Sequence, residues 1–267
     1  MAAQVHLFLS PHADDAALSC GGQIASLTRQ HQVTIFTLMI GQPPPEALNL
    51  PLAVYFHRKW GLGANVVTVR RAEDRLAARR MGSALLAGDL LEAGYRRDSQ
   101  GNACYVEPAS LHLAPNPADP LLQLLTGESV RNIIQAQGVV LSSDLVIHAP
   151  LGVGNHVDHQ IVREMALLLA HGKPAPRLVF YEDYPYATWN DKVVPDALNE
   201  TAARVQPRTL KRVLHPLDLR ARLARIAAIA SYRSQLSMIW RRGMVGMMLR
   251  TWQFMAQRGG EVEWEIT

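Results

Sequence analysis

Cysteine is scarce in this sequence: Cys20 and Cys104 are the two cysteines among 267 residues. Two cysteines so far apart do not form a disulfide scaffold, and they offer no thiolate cluster for a structural zinc site. We therefore expect two reduced thiols in a cytoplasmic protein. The first residues show neither a basic stretch nor a cleavage-site pattern, so we expect no secretory signal.

Long apolar runs are missing as well. No run approaches the roughly 18 residues that predict a membrane-spanning helix, so none is expected. The sequence has no low-complexity tract and no internal repeat. Hydrophobic residues still make up 48% of the chain and charged residues 19%, which is typical of a folded globular protein and excludes disorder as the main state.

Acidic residues are nearly absent from one part of the chain. Residues 204–258 contain twelve Lys and Arg but one acidic residue, Asp218, although the whole chain carries a formal net charge of only +4. A solvated helical face, or a face that packs on the more acidic remainder, would explain this imbalance. A patch for an anionic partner or a membrane surface is the sharper alternative. We expect no nucleic-acid partner.

Short apolar runs alternate with amphipathic helices through most of the chain. Two strands joined by a helix form a βαβ unit, whose strands are parallel. We therefore predict an α/β fold, a Rossmann-like three-layer sandwich with a mostly parallel sheet. Residues 1–204 would form the core, and residues 205–267 a helical C-terminal segment packed on it, with a short polar–apolar alternation at its end. The predicted strands are residues 5–9, 33–38, 145–149 and 178–181, and the predicted helices include residues 21–31, 72–86, 128–137 and 161–169.

Two of the predicted strands end in proline-containing loops that are rich in side chains able to bind a metal. Ligands of an open parallel sheet bind in the crevice beyond the carboxyl ends of its strands. Both loops lie at such ends, so we expect their side chains to converge. The six residues are His12, Asp14, Asp15, His156, Asp158 and His159.

Imidazole and carboxylate groups are good zinc ligands, and a catalytic zinc uses three protein ligands and a water. Two histidines and one aspartate can be drawn from the six residues with side chains left over. Hydrolysis needs those, because a base must take a proton from the metal-bound water and an acid must stabilise the oxyanion and protonate the leaving group. Each loop alone is typical of a solvated turn or a helix cap, but the pair predicts a metal-dependent hydrolase.

The same residues resemble the motifs of the PIG-L/LmbE-like zinc-dependent N-deacetylases. The first motif of that family reads Pro-His-Pro-Asp-Asp and is followed by Gly-Gly; here residues 11–15 read Pro-His-Ala-Asp-Asp, and residues 21–22 are Gly-Gly. The second motif, His-x-Asp-His, stands at residues 156–159. A supporting Arg-x-x-Glu stands at residues 70–73. The resemblance covers roughly residues 5–185.

The resemblance implies a role for each matching residue of the metal centre. His12, Asp15 and His159 would bind zinc. Asp14 would be the general base that takes a proton from the zinc-bound water. Because histidine and carboxylate ligands also accept Fe²⁺, iron stays an alternative metal.

The resemblance also implies roles around the metal. His156, as an imidazolium, would stabilise the oxyanion and assist the leaving amine, and Asp158 would orient it. Arg70 would hold the sugar or its anionic substituent. Asp98 stands where some members place a carboxylate that binds sugar hydroxyls.

The function implied by this resemblance is a zinc-dependent hydrolase of a non-peptide amide C–N bond. It would remove an N-acyl group, with acetyl favoured, from a sugar-containing substrate such as an N-acetylglucosamine derivative, by attack of a metal-bound water. The expected partner is a small glycoside or amino-sugar derivative. The resemblance also favours a homo-oligomer.

Three alternatives stay open. The same chemistry would serve an amidase that acts on a larger thiol-conjugate or glycopeptide amide. An Asp/His metal site could hydrolyse phosphoesters, although the ligands are too few for the usual two-metal arrangement. In a different class, the Arg-rich C-terminal segment would make the chain an anionic-surface binding protein, with membrane-surface contact as one form of it.

Other residues near the loops have less specific patterns. His148 stands inside an apolar strand, and we interpret it as a core histidine. His112 has no partner pattern, so it is given no role. Residues 182–186 follow another predicted strand. They are either a turn at the strand end or a wall of the substrate pocket whose aromatic rings stack on sugar faces.

Overall fold

A computed structural model describes residues 3–240 and 243–267. Over these residues the chain forms one sheet of seven strands, in the order β3-β2-β1-β4-β5-β7-β6, and nine α-helices. The strands are β1 (Val5–Ser10), β2 (Gln32–Thr37), β3 (Ala84–Ala87), β4 (Leu145–Pro150), β5 (Arg177–Tyr181), β6 (Leu210–Pro216) and β7 (Gly260–Ile266). The helices are α1 (Asp15–Leu27), α2 (Pro51–Trp60), α3 (Val66–Met81), α4 (Gly127–Gln135), α5 (Val157–His171), α6 (Val193–Val205), α7 (Leu219–Ile229), α8 (Arg233–Ile239) and α9 (Gly243–Arg258).

The sheet is mostly parallel, and helices cover both of its faces. Strands β1 to β5 pair in parallel, whereas β7 runs antiparallel to both β5 and β6. On one face, Phe8 and Ile35 pack with residues of α1, α3 and α7. On the other, Leu7 and Ile147 pack with residues of α4, α5 and α6. Strands covered on both sides must be apolar throughout, which explains the short continuous runs in the sequence. The predicted α/β three-layer fold is confirmed.

The order of the strands reverses beside β1. Strand β1 lies between β2 and β4. The chain therefore continues from β1 to β2 in one direction along the sheet and from β4 to β5 in the other. The loops that follow β1 and β4 therefore leave the same edge side by side. Such a switch point is where open α/β sheets bind their ligands.

The bounds of the predicted helices differ from those of the structure, most of all in α1 and in α3, which begins at Val66 and not at residue 72. Helix α1 begins at Asp15, and Gly21 and Gly22 lie in its middle. A Cβ at Gly22 would stand 2.4 Å from a methyl carbon of Leu217, so glycine is needed there for close packing rather than as a helix start. The predicted helix 72–86 ends at Met81, because Gly82 adopts a left-handed conformation (φ +79°) and the four residues of β3 then pair with β2.

The C-terminal part of the chain contributes to the sheet as well as covering it. Helices α7, α8 and α9 follow the predicted helical pattern, and residues 241–242 of the Arg-rich stretch lie outside the described residues. Strand β6 was not anticipated, and β7 corresponds to the alternation at the end of the sequence. The boundary at residue 204 stays a prediction. None of the described helices is both long and apolar enough to cross a bilayer.

Candidate active site

The two loops at the switch point bring the six candidate residues together. The loop after β1 ends at Asp14, and α1 begins with Asp15. The loop after β4 leads to His156, which caps α5, and Asp158 and His159 lie in the first turn of that helix. All six side chains belong to residues that are at most 9% exposed, so their polar groups need partners inside the protein or in a bound ligand.

Asp15 joins two of the histidines. Its Oδ2 atom lies 3.0 Å from His12 Nδ1 and 3.3 Å from His159 Nε2. One donor atom from each of these three residues lies within 4.8 Å of the others. His159 Nε2 is buried and has no hydrogen-bond partner in the described part of the chain. Two imidazoles and a carboxylate, with one donor unsatisfied, fit a zinc or iron ion.

Asp158 fixes the orientation of His12. Its Oδ2 atom lies 2.7 Å from His12 Nε2, and the backbone N–H of Ala93 also donates to this oxygen. With its proton on Nε2, His12 has its Nδ1 lone pair free to face Asp15 and a metal. Burial opposes the charge on Asp158, but Arg96, 2.6 Å from Oδ1, and His12 outweigh it and hold the pKa of this carboxyl well below its usual range.

Asp183 plays the same part for His159, a role that the sequence pattern did not predict. Its Oδ1 atom lies 2.6 Å from His159 Nδ1, and its Oδ2 atom accepts the backbone N–H groups of Gly152 and Val153. The other ring nitrogen of His159, Nε2, therefore faces Asp15. One signal was available, because residues 182–186 follow β5, which neighbours β4 at the same sheet edge.

Asp14 has a different environment from Asp15. Its backbone has φ +152°, an uncommon conformation for a residue other than glycine, and such strain concentrates at functional sites. No donor among the described residues reaches its carboxylate, which lines a cavity. Burial and the charge of Asp15 raise the pKa of Asp14 well above its usual value, and Arg70 opposes the shift only partly.

His156 and Asp158 lie close together, but the hydrogen bonds of the described residues do not join their side chains. His156 Nδ1 accepts the backbone N–H of Asp158, and the Asp158 carboxylate contacts His12, Arg96 and Ala93 instead of the His156 ring. Burial lowers the pKa of His156 well below its usual value; the charge of Asp158 opposes this shift, and the neighbouring histidines add to it. A ring nitrogen that accepts a hydrogen bond carries no proton, so in this arrangement Nε2 is the His156 nitrogen that can donate.

Arg70 lies at the cavity and Asp98 does not. Arg70 is buried, forms an ion pair with Glu92, and stacks its guanidinium over Trp60 at 4.9 Å from the ring centroid. Asp98 does not line the cavity, and its carboxylate accepts hydrogen bonds from Gln100 and Asn102 in a local turn. The expected contact of Asp98 with a sugar finds no support in this position.

A cavity of about 360 Å³ opens over the donor set. Volumes of this order hold small organic ligands. His112, which the sequence left without a role, lines it and has its Nδ1 atom 2.8 Å from the carbonyl oxygen of Gly154. The other aromatic lining residues are Tyr55, Phe56, Trp60, Tyr186 and Trp189.

His148 is a satisfied core histidine, as expected. Its ring is stacked on Phe8, with ring centroids 3.9 Å apart. Its two nitrogens lie 2.8 Å from His6 Nδ1 and 2.6 Å from Glu263 Oε1.

Comparison with known sequences identifies relatives. Residues 7–170 match the family described as PIG-L: GlcNAc-PI de-N-acetylase. A 2'-N-acetylparomamine deacetylase of Streptomyces fradiae is 34% identical over 189 residues, which cover 70% of this chain and 59% of that protein. A protein of the same name from Niallia circulans is 24% identical over 210 residues, 74% of this chain and 73% of its own. The match thus spans less than two thirds of the first relative.

Solved structures share the fold over nearly the whole chain. The zinc-inhibited form of the teicoplanin deacetylase Orf2 has a TM-score of 0.77 and 25% identity, with 98% of both chains covered. A deacetylase–teicoplanin complex has a TM-score of 0.74 at the same identity and coverage. An N,N'-diacetylchitobiose deacetylase from Pyrococcus horikoshii, at 15% identity and a TM-score of 0.53, covers 99% of this chain and 84% of its own and shares the fold alone.

Proposed function

Because this chain belongs to the PIG-L family of de-N-acetylases, we propose that it is a metal-dependent hydrolase that removes an N-acyl group, acetyl first of all, from a sugar-containing substrate. The observation that carries the proposal is the set His12, Asp15 and His159, within 4.8 Å of one another beneath a cavity that the free carboxylate of Asp14 also lines. The deacetylase names of the relatives support the same chemistry.

The metal would be held by His12 Nδ1, Asp15 and His159 Nε2. A zinc or iron ion in this place would act as a Lewis acid that polarises the acyl carbonyl and lowers the pKa of a water molecule. A related deacetylase is known in a zinc-inhibited form, which supports a zinc-binding site. Asp158 and Asp183 would keep the two histidines in the tautomers that leave these nitrogens free.

Asp14 would move the proton. Its carboxylate lines the cavity and accepts no hydrogen bond from the described residues, so it is free to accept a proton from the attacking water. A base with a raised pKa holds that proton better than an ordinary carboxylate does. Asp14 would then give this proton to the leaving nitrogen. The products would be the free amine and the carboxylic acid of the acyl group.

His156 would stabilise the oxyanion as a neutral donor. Its Nδ1 atom is occupied by the backbone N–H of Asp158, so the remaining nitrogen, Nε2, carries the proton. A fixed N–H donor that meets the developing negative charge typically contributes about 10²–10³-fold to the rate. Arg70, fixed by Glu92, would border the sugar.

The substrate class has two candidates. The S. fradiae relative is named for an acetylated amino sugar, which supports a small amino-sugar derivative. The structural neighbours are named for teicoplanin, which supports the larger glycopeptide amide as a second candidate. Cytoplasmic location and a homo-oligomer stay predictions.

The test measures acid release from a panel of N-acyl substrates. We expect one equivalent of acetate per equivalent of free amine from N-acetylglucosamine glycosides, N-acetylparomamine or teicoplanin. Removing metal with a chelator should abolish release, and Zn²⁺ or Fe²⁺ should restore it. A metal-loaded protein that releases no acid from any of them would contradict the proposal.

A further inference from the structure

A glycine in the loop after β4 makes room for a tyrosine from the loop after β5. Gly154 has φ +81°, which favours glycine, and a Cβ built on it would stand 2.8 Å from Tyr186 Cβ and 2.9 Å from Tyr186 Cγ. Real Cβ atoms do not approach other atoms so closely. The side chain of Tyr186 is therefore seated on the bare backbone of Gly154.

The side chain of Tyr186, packed on Gly154 in this way, borders the cavity. The Tyr186 atoms nearest to Gly154 are Cβ, Cγ and Cδ1, so the base of the side chain, and not its hydroxyl, forms this contact. The ring is stacked on His156 at 30°, with centroids 6.4 Å apart, and stands edge-on to His159 at 5.4 Å. Tyr186 lines the cavity together with Asp14 and Asp15. None of the described residues forms a hydrogen bond with its hydroxyl.

We propose that Tyr186 is a catalytic residue whose phenol O–H donates to the oxygen that becomes negative when the acyl carbonyl is attacked. The proposal rests on the proposed function. His156 supplies one donor, Nε2–H, and an alkoxide-like oxygen accepts more than one. The phenol keeps its proton throughout, since phenols ionise near pH 10. A donor held in place by packing needs no reorganisation during the reaction, which is why such donors accelerate it.

The competing roles would act on binding. A ring that only forms a wall of the cavity, or a hydroxyl that binds a sugar OH, interacts equally with the substrate and the transition state. Losing such an interaction raises KM and leaves kcat unchanged. A donor to the oxyanion acts in the transition state, so its loss lowers kcat.

The experiment compares Tyr186→Phe with Tyr184→Phe. Both variants keep the ring and remove one hydroxyl from the same loop, but Tyr184 is buried against Phe254 and does not line the cavity. We expect Tyr186→Phe to lower kcat by about 10²–10³-fold with KM and metal content unchanged, and Tyr184→Phe to match the wild type. A kcat of Tyr186→Phe within twofold of the wild type, or an increase in KM alone, would overturn the proposal.

A second measurement does not depend on turnover. A tetrahedral phosphonate analogue of the N-acetyl sugar imitates the transition state, whereas the free amino sugar is the reaction product. Tyr186→Phe should weaken the binding of the analogue by about 10²-fold and leave the affinity for the amino sugar unchanged. Equal affinity of variant and wild type for the analogue would overturn the role of Tyr186.

A substitution on the other side of the contact tests the seat itself. In Gly154→Ala the new Cβ must displace Tyr186, so kcat should fall. Combined with Tyr186→Phe, it should add little, because both changes remove the same donor. If the losses of kcat in the two single variants added fully in the double variant, Gly154 would not act through Tyr186. A wild type that releases no acid fails the proposed function, whereas an active wild type with an unimpaired Tyr186→Phe variant fails this inference alone.

Discussion

Neighbouring carboxylates take different positions because a helix begins between them. Asp15 is the first residue of α1 and faces His12 and His159. Burial opposes its charge, but these two histidines outweigh it and hold the pKa of Asp15 well below its usual value. Asp14, one residue earlier with φ +152°, points to the cavity, and burial beside Asp15 raises its pKa. One suits a ligand and the other suits a base.

Asp14→Asn separates these two roles. The amide keeps the shape of the side chain but cannot accept a proton, so kcat should fall by about 10²–10⁴-fold while the metal content per chain stays the same. Asp15→Asn, the adjacent comparison, should lose metal. The measurements are acetate release and metal content by elemental analysis. An active Asp14→Asn variant would contradict the assignment of the base.

Asp183→Asn tests the orientation of His159. The carboxylate accepts from His159 Nδ1 and from two backbone amides, so its loss should lower metal affinity by about 10–100-fold. Glu182→Gln is the matched control, because Glu182 contacts Trp264 and Arg258 instead. Competition with a metal-binding dye gives the affinities. Equal affinities in both variants would exclude this role.

At the scale of elements, the last strand ties the fold together through buried carboxylates. Glu263 of β7 lies 2.6 Å from His148 Nδ1 and 2.8 Å from His215 Nε2, and it accepts from the amide of Gln23 in α1. Glu261, on the same face, accepts backbone N–H groups of α1. Side chains of β7 thus contact β4, β6 and α1, in addition to the backbone pairing of β7 with β5 and β6.

Glu263→Gln should destabilise the fold. The amide keeps one oxygen, so either the buried His148 or the partly exposed His215 loses its acceptor, which costs about 1–3 kcal/mol of the free energy of unfolding if it is His148. Glu265→Gln, on the same strand, removes a partly exposed contact with Arg177 and should change it by less than about 1 kcal/mol. Urea unfolding followed by circular dichroism measures both. Equal stabilities would show that the buried network contributes nothing.

For the whole molecule, charge and exposed apolar surface coincide on the outer faces of α7 and α9. Leu219, Leu223, Leu249 and Trp252 are between 41% and 63% exposed. The guanidinium of Arg222 lies over the Trp252 ring, so the two faces adjoin. The sequence has no acidic residue between 219 and 258. A second copy docked on the same face would bring arginines against arginines, whereas an anionic lipid surface would complement them.

This surface predicts salt-dependent binding to anionic vesicles. The protein should co-sediment with phosphatidylglycerol vesicles more than with phosphatidylcholine vesicles, and less at high salt, because salt screens the arginines. Exchange of Leu249 and Trp252 for serine should reduce the binding, whereas exchange of Val140, which is exposed between α4 and β4, should not. Equal retention by both kinds of vesicle would exclude membrane-surface contact.

The sequence by itself determined the two ligand-bearing loops and the layer architecture. Both follow from local properties: apolar runs of strand length, prolines that end them, and His and Asp at short spacing. Parallel strands expose their carboxyl ends at one edge, so the convergence of His12 and His159 also followed. The short strand β3 and the polar strand β6 were not predicted. Each is held by backbone hydrogen bonds to a neighbouring strand, and the local sequence does not show which strand that is.

Only the tertiary structure decided which side chains complete the site. Asp183 and Tyr186 enter it from a third loop, because β5 is hydrogen-bonded beside β4. Asp158 serves His12 rather than His156, and Asp98 stays in its own turn. Side-chain direction and contacts between distant segments depend on packing across the whole sheet. Residue spacing carries no record of that packing, so the chemistry was visible in the sequence and its arrangement was not.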